Sequence, residues 1–82
     1  MCSRATKNAA CTLRQNYKGD GVGIPTKLTG KTVPECCAAC AAHKGCAVFV
    51  FLPGNVPTCT LYPATGSNGK TVTGAVTGTP QR

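Results

Sequence analysis

Seven cysteines in a chain of 82 residues constrain its fold more than any other feature. Three of them lie in the run Pro34-Glu35-Cys36-Cys37-Ala38-Ala39-Cys40, and Cys46 and Cys59 follow. A chain this short buries too little surface to be stable without further support, and disulfides are the usual support in small secreted domains. The cysteine content therefore predicts one disulfide-linked domain from an oxidising, extracellular compartment.

The sequence around this cluster predicts a single helix from about residue 33 to residue 44. Thr32 and Glu35 have the spacing of a capping box, in which each side chain binds the backbone N–H of the other residue. Pro34 is tolerated in the first turn, where its missing N–H would have no helical partner. Alanine, the best helix former, fills the middle of the segment, and Gly45 is suited to end it.

Strand patterns occur on both sides of the predicted helix. Cys46 to Leu52 is rich in β-branched and aromatic residues and predicts a central strand, with Thr58 to Tyr62 as its partner. Cys11 to Arg14 predicts the beginning of a short strand, and glycine and aspartate from Tyr17 to Gly21 predict a turn. Valine alternates with threonine from Thr71 to Gly78, which predicts an edge strand.

This order of elements predicts an α+β domain in which an antiparallel sheet is crossed by a single α-helix. We expect the domain over residues 11–78, between a flexible N-terminal tail at 1–10 and a C-terminal tail at 79–82. No apolar run approaches the roughly 20 residues that span a bilayer. No apolar signal segment follows Met1. We therefore expect a module of a longer secreted or surface protein whose signal sequence lies elsewhere.

Helix geometry divides the cysteines of the cluster between two faces. Cys36 and Cys40 lie four residues apart and share a face, which we expect to meet the sheet. Cys37 is rotated by about 100° from Cys36, so it faces elsewhere. From this geometry we expect the pairs Cys36–Cys59, Cys40–Cys46 and Cys11–Cys37, which are one of the fifteen pairings that six cysteines permit. Cys2 is then left unpaired or bridges to sequence outside the chain.

The charge of the chain is strongly one-sided. Nine Lys and Arg residues face two acidic residues, for a formal net charge of +7. Such an excess favours solubility or attraction to an anionic partner, such as a sulfated or sialylated glycan, an acidic protein or nucleic acid. The candidate ligand-binding residues flank the first turn and the approach to the helix: Arg14, Tyr17, Lys18, Lys27 and Lys31. Lys44 and Lys70 are second choices.

A zinc-binding nucleic-acid module is a remote alternative, based on the set Cys37-x-x-Cys40-x-x-His43-x-x-Cys46. Ligands at every third position of a helix spread along its axis instead of converging on one ion. Zinc would also leave Cys36 and Cys59 unexplained. With one histidine and two carboxylates, the chain offers few acid–base pairs for catalysis. We therefore expect no metal, no cofactor, no nucleic-acid partner and no enzymatic activity.

Five motifs follow one another in a specific order along the chain. They are a Tyr-x-Gly turn at Tyr17 to Gly19, Thr-x-x-Glu-Cys-Cys-Ala-Ala-Cys at Thr32 to Cys40, Gly-Cys-x-x-Phe-x-Phe at Gly45 to Phe51, Thr-Cys-x-Leu at Thr58 to Leu61, and Gly-Ala-Val-x-Gly at Gly74 to Gly78. Together, over about residues 11–78, they resemble the PAN/apple family. The resemblance implies an antiparallel sheet crossed by one helix and held by two helix-to-strand disulfides.

The resemblance also carries an expectation about function. Apple domains of coagulation proteases have a further disulfide that joins their ends, and this chain has no cysteine after Cys59 to form it. It is more similar to the shorter PAN modules in tandem arrays of surface proteins, such as microneme-type adhesins and microbial cellulose-binding lectins. This implies a non-enzymatic extracellular adhesion module that binds carbohydrate or protein. The alternative is a protein-contact or spacer module without glycan binding, and neighbouring modules of the parent chain are expected partners.

Overall fold

A computed structural model describes residues 11–80 as one helix and seven strands. The helix is α1 (Val33–Ala42), and the strands are β1 (Cys11–Lys18), β2 (Gly21–Val22), β3 (Thr26–Thr29), β4 (Val48–Leu52), β5 (Thr58–Tyr62), β6 (Ala64–Thr65) and β7 (Lys70–Pro80). Five strands form an antiparallel sheet in the order β1-β7-β4-β5-β3, and β2 pairs with β6 in a second sheet. The predicted α+β class is confirmed, with β4 in the centre and β5 beside it.

The two expected tails lie wholly or partly outside the residues that the structure describes. Residues 1–10, with the predicted flexible tail and Cys2, lie outside the described residues, as do residues 81–82. β7 continues to Pro80, two residues beyond the expected boundary after residue 78. This extension has a partner, since Cys11 and Thr12 at the start of β1 pair with Pro80 and Thr79.

The N-terminus of α1 has the predicted capping box. The Glu35 carboxylate accepts the backbone N–H of Thr32 at 2.8 Å, and the Thr32 hydroxyl accepts the N–H of Glu35 at 3.4 Å. The hydrogen bond from the Thr32 backbone is the main reason that the pKa of Glu35 lies below its ordinary value of 4.5. A hydrogen bond to an ionised carboxylate favours the ionised form. The cap is therefore strongest when Glu35 is charged.

The C-terminus of α1 lies two residues before the predicted end at residue 44. The last helical residue is Ala42, and His43 already has an extended conformation. The cause is the disulfide between Cys40 and Cys46, which are six positions apart. The chain must turn back within this short loop, and Gly45 with φ of 90° provides the turn.

Three disulfides fix α1 against the rest of the domain. They join Cys11 to Cys37, Cys36 to Cys59 and Cys40 to Cys46, with Cα–Cα distances of 6.1, 6.0 and 5.3 Å. These are the pairs expected from the helix geometry. Cys36, Cys40 and Cys59 have no exposed surface. The helix is thus bonded to β5 through one face and to the start of β1 through another.

The core lies between α1 and the central strand β4. Phe49 is fully buried and packs with Leu61 and the cystines beneath the helix. Val48 and Val50 alternate to the opposite face of β4 and are also buried. Both faces of the central strand are therefore covered.

β7 lies inside the sheet and not at its edge. The edge prediction was wrong because the alternation in this segment reflects two covered faces. Val76 is buried on the face towards α1, whereas the Thr77 hydroxyl is hydrogen-bonded on the other face. Gly78 allows β7 to approach closely, since a Cβ there would meet the rings and methyl groups of Phe49 and Leu13.

The capping box makes a testable contribution to pH-dependent stability. Because folding lowers the pKa of Glu35, its contribution is fully present above the carboxyl pKa of the unfolded chain and is lost as the pH falls through the folded value. We expect Glu35→Gln to be less stable than wild type at pH 7, with the difference shrinking below about pH 4.5. Urea unfolding of both proteins across this range measures the difference. A pH-independent difference would contradict this role.

The disulfides should differ in their effect on stability. In the chain-entropy model a bond over the 23-residue separation of Cys36 and Cys59 contributes about 3–4 kcal/mol, and one over the six-residue separation of Cys40 and Cys46 about 2 kcal/mol. We expect the double variant C36A/C59A to lose more unfolding free energy than C40A/C46A in urea. A larger loss of unfolding free energy in C40A/C46A would contradict this expectation. Unreduced peptide mapping checks the pairing independently, and a peptide linking Cys36 to Cys40 would contradict it.

Candidate binding cleft

A bulge at Asn16 decides which side chains of β1 share a face. The register between β1 and β7 shifts between Gln15 and Tyr17, and Asn16 has φ of 54°. This is the left-handed region, in which asparagine is enriched. In a regular strand, Arg14 and Tyr17 would point to opposite faces because they are three residues apart. The left-handed conformation of Asn16 interrupts this alternation, and both side chains lie on the same face.

The side chain of Asn16 fixes the bulge by a hydrogen bond to the neighbouring strand, β7. Its Oδ1 accepts the backbone N–H of Gly74 at 2.9 Å, across 58 positions of sequence. Gly74 itself has φ of 87°, and a Cβ there would lie 3.0 Å from Pro53. The irregular part of β7 is therefore held by one side-chain hydrogen bond. It also requires glycine at position 74, because a larger residue would be strained there.

The bulge also extends β1 beyond its predicted end. Tyr17 and Lys18 were expected in a turn, but they pair with Thr71 and Lys70 of β7. The turn follows at Gly19. Its N–H donates to the Thr77 hydroxyl at 2.6 Å, and that hydroxyl donates to the Tyr17 carbonyl at 2.7 Å. Thr77 therefore holds the turn down on the sheet.

Asp20 follows in this turn and connects it to the loop after β6. Its carbonyl oxygen accepts the N–H of Gly66 at 2.6 Å, and its Oδ2 accepts the N–H of Asn68 at 3.2 Å. These two bonds hold the carboxylate near the sheet face that carries Arg14. Both Asp20 and Gly66 line the same cleft as Arg14.

Arg14 and Tyr17 form a stacked pair. The guanidinium carbon of Arg14 lies 3.8 Å from the centroid of the Tyr17 ring. A cation within about 6 Å of a ring face is attracted to it, so the stack orients the guanidinium. Within residues 11–80 the Arg14 guanidinium has no hydrogen-bond acceptor or ion-pair partner. Its N–H groups are therefore available to a ligand.

These elements enclose a cleft of about 260 Å³ above β1 and β7. Its polar wall combines a cation, a carboxylate, a phenol and several hydroxyl groups: Arg14, Asp20, Tyr17, Thr12, Thr65 and Thr79. Val48, a buried residue of the central strand, contributes to its apolar floor. Few convergent polar groups over an apolar floor are typical of a small-ligand site.

Comparison with protein families gives one match. The model described as the PAN domain matches residues 2–80. The chain belongs to the PAN domain family. Comparison with curated proteins and with solved structures gives no match. PAN domains are generally non-catalytic modules that bind protein or carbohydrate, and three disulfides and a helix-crossed sheet fit this family.

The other sequence candidates of this PAN domain lie away from the cleft lining. Lys18 is directly opposite Lys70 at one end of the β1–β7 ladder. Lys27 lies on β3, at the other edge of the sheet. The four strand spacings between these edges amount to about 19 Å. Lys31 follows β3 and precedes α1. The structure therefore brings together Arg14 and Tyr17 from the candidate set and separates them from Lys27 and Lys31.

Sequence reasoning missed several residues of the cleft. Asp20 was interpreted only as a turn residue, although a carboxylate between two glycines can also face a ligand. Thr65 and Thr79 had no local pattern that singled them out. They meet Arg14 only through the pairing of β1 with β7 and the fold of the loop after β6.

The six cysteines within residues 11–80 are all in disulfides and so are not available as metal ligands. Cys37, Cys40 and Cys46, the proposed thiolates of the zinc alternative, each form a disulfide. Among residues 11–80, no three His, Cys, Asp or Glu side chains are grouped so that they could hold a metal ion. In the same part of the chain, no helix has the length and apolar character needed to cross a membrane.

The bulge can be tested with two substitutions of Asn16. We expect Asn16→Val to destabilise the domain by about 1–3 kcal/mol, because a β-branched residue is strained in the left-handed region. It also removes the hydrogen bond to Gly74. Asn16→Asp is the matched control, since it keeps the acceptor and tolerates this conformation. Urea unfolding gives the stabilities, and NMR shifts of the Tyr17 ring report on the stack. Equal stability and unchanged ring shifts in the valine variant would contradict the assignment.

Proposed function

We propose that this PAN domain binds carbohydrate in the cleft between β1, β7 and the turn at Gly19 and Asp20. The observation that carries the proposal is the combination of the stacked Arg14 guanidinium and the Asp20 carboxylate in one cleft with the hydroxyls of Thr65 and Thr79. A ligand for this cleft must offer both donors and acceptors at close spacing. Sugar hydroxyls do so, since each one can donate and accept.

The chemistry of the polar groups supports this proposal. Arginine is a donor only and an ionised aspartate is an acceptor only, whereas threonine hydroxyls do both. Hydrogen bonds that involve an ionised partner are roughly twice as strong as neutral ones. Arg14 and Asp20 would therefore orient a sugar ring from two sides. Thr65 and Thr79 would complete its hydrogen bonds, and Val48 would contact its C–H groups.

Tyr17 has a different role from the one its type first suggests. A tyrosine ring can stack on a sugar, but the Arg14 guanidinium covers one face of this ring. We assign to Tyr17 the positioning of Arg14. Tyr62, the second tyrosine of the chain, packs its ring against Gly21.

The size of the cleft favours recognition of a single sugar unit within a glycan. Its volume of about 260 Å³ is slightly below the roughly 300–1,000 Å³ of typical small-molecule pockets. One ring would enter, and the rest of the glycan would extend over the exposed surface. Such a shallow site gives modest affinity in one module, and repeated modules increase it by multivalency.

The disulfides and the family suggest an extracellular or secreted setting for this binding. We propose that the domain acts in adhesion as one of several modules of a secreted or surface protein. This follows the resemblance to PAN modules of tandem-repeat surface adhesins. Neighbouring modules of the parent chain would then present several clefts to a glycan-coated surface.

A glycan array with wild type, Arg14→Ala and Asp20→Asn tests the proposal. We expect at least a tenfold loss of affinity in each variant, because a hydrogen bond to a charged group contributes about 1.5–3 kcal/mol. Lys31→Ala is the matched control, since it removes one positive charge from an exposed residue outside the cleft lining. Its glycan binding should equal that of wild type.

Repeating the array at two salt concentrations separates the kinds of sugar. Exposed charges are screened beyond about 10 Å at 0.1 M salt, so an acidic sugar should lose more affinity with salt than a neutral one. Binding retained by both cleft variants would place the glycan elsewhere and contradict the proposal. Absence of any glycan binding would also contradict it and would favour a protein-contact or spacer role.

A further inference from the structure

The second edge of the main sheet is formed by β3. Within residues 11–80 this strand pairs only with β5, so its other side has backbone N–H and C=O groups without a strand partner. An edge of this kind is a template for a further strand. Extended peptides that add to a sheet edge gain affinity from main-chain hydrogen bonds and specificity from alternate side chains.

An apolar surface lies directly beside the start of β3. Ile24 is 90% exposed and Val22 is 53% exposed, although both are large aliphatic residues. Ile24 and Thr26 line a hollow of about 70 Å³ together with Leu61 and Pro63. The small size of this hollow suits a small aliphatic side chain.

The charges around this edge are positive. Lys27 is an exposed residue of β3, and Lys44 lies at the rim of the hollow. The carboxylates of residues 11–80 are engaged elsewhere: Asp20 binds the loop after β6, and Glu35 binds the N-terminus of α1. The edge is therefore complementary to an acidic partner.

A second copy of the same chain does not suit this edge. Pairing of β3 with another β3 would bring two Lys27 side chains to one short seam, together with the neighbouring Lys44 residues. Like charges on paired strands are destabilising. The same lysines attract an acidic strand, so charge distinguishes between these two occupants.

We propose that β3 binds an extended segment of a partner protein as a sixth strand, in which acidic residues alternate with small aliphatic ones. Successive side chains of a strand point to opposite faces. On the face towards α1, an aliphatic side chain contacts Ile24 and the hollow. On the opposite face, an acidic side chain pairs with Lys27. The site is independent of the carbohydrate cleft, which lies at the other edge of the sheet.

An NMR titration of the ¹⁵N-labelled domain tests the proposal with Ac-Glu-Val-Glu-Val-Glu-NH₂ as the probe. We expect amide shifts concentrated at residues 24–31 and an affinity at least tenfold higher than for Ac-Lys-Val-Lys-Val-Lys-NH₂. A probe N-methylated at its two valines should bind at least tenfold more weakly, because it cannot form the main-chain hydrogen bonds. Lys27→Glu and Ile24→Ser should each weaken binding, whereas Arg14→Ala should not.

Several outcomes would overturn the proposal. Equal binding of acidic and basic probes would remove the role of Lys27, and equal binding of the N-methylated probe would exclude strand addition. Amide shifts confined to the cleft around Arg14 would show that the peptide binds there and not at β3. Dimerisation through β3, measured by sedimentation and abolished by Lys27→Pro, would make a second copy the occupant. Because Ile24 is exposed, we expect Ile24→Ser to fold. The dispersion of its amide signals checks this and so distinguishes lost binding from lost folding.

Discussion

The bond between Cys36 and Cys59 is the contact on which the rest of this domain depends. It joins the buried face of α1 to β5, next to the central strand, with no exposed surface at either sulfur-bearing residue. The chain has two phenylalanines and no tryptophan, so aromatic packing alone cannot provide a large core. Cystines take that place beneath the helix. With α1 fixed in this way, the loops on the other face of the sheet need not contribute to the core.

The fixing of α1 by disulfides explains where the proposed cleft lies. Short strands and turns cover the face of the sheet that is remote from α1, and their positions are set by individual hydrogen bonds. Thr77 and Asp20 are the two examples, since each ties the turn after β1 to a distant part of the chain. Hydrogen-bonded turns on a covalently fixed scaffold can differ in side chains without changing the fold. The cleft beside Arg14 is built from such exposed segments.

The sequence predicted the features that depend on local chemistry. Thr32 and Glu35 specified the start of α1 because the capping box acts over three residues, and the cysteine pairs followed from the geometry of a single helix. The end of α1 was predicted less well, because the disulfide to Cys46 overrides the helical preference of residues 43 and 44. The position of β7 was wrong for a related reason. Alternation of residue types along a strand indicates that its two faces differ. It does not indicate whether the strand has a neighbouring strand on one side or on both.

The cleft could be predicted only in part, because its geometry depends on one bulge. Arg14 and Tyr17 were chosen for charge and ring type, and three residues of separation gave no reason to place them on one face. Only the left-handed Asn16, held by Gly74 across 58 positions, makes them neighbours. Contacts over such separations are decided by the pairing of strands, which a local pattern does not encode.

The three disulfides differ in how far they are shielded, and this orders their response to a reducing agent. A thiolate can attack only a sulfur that it can reach. Cys36, Cys40 and Cys59 are fully buried, whereas Cys11, the first residue of β1, is partly exposed. Reduction therefore begins at the bond between Cys11 and Cys37. Its loss frees the start of β1, the strand that carries Arg14, while α1 stays joined to β5. Mild reduction would then loosen the cleft beside Arg14 before the domain unfolds.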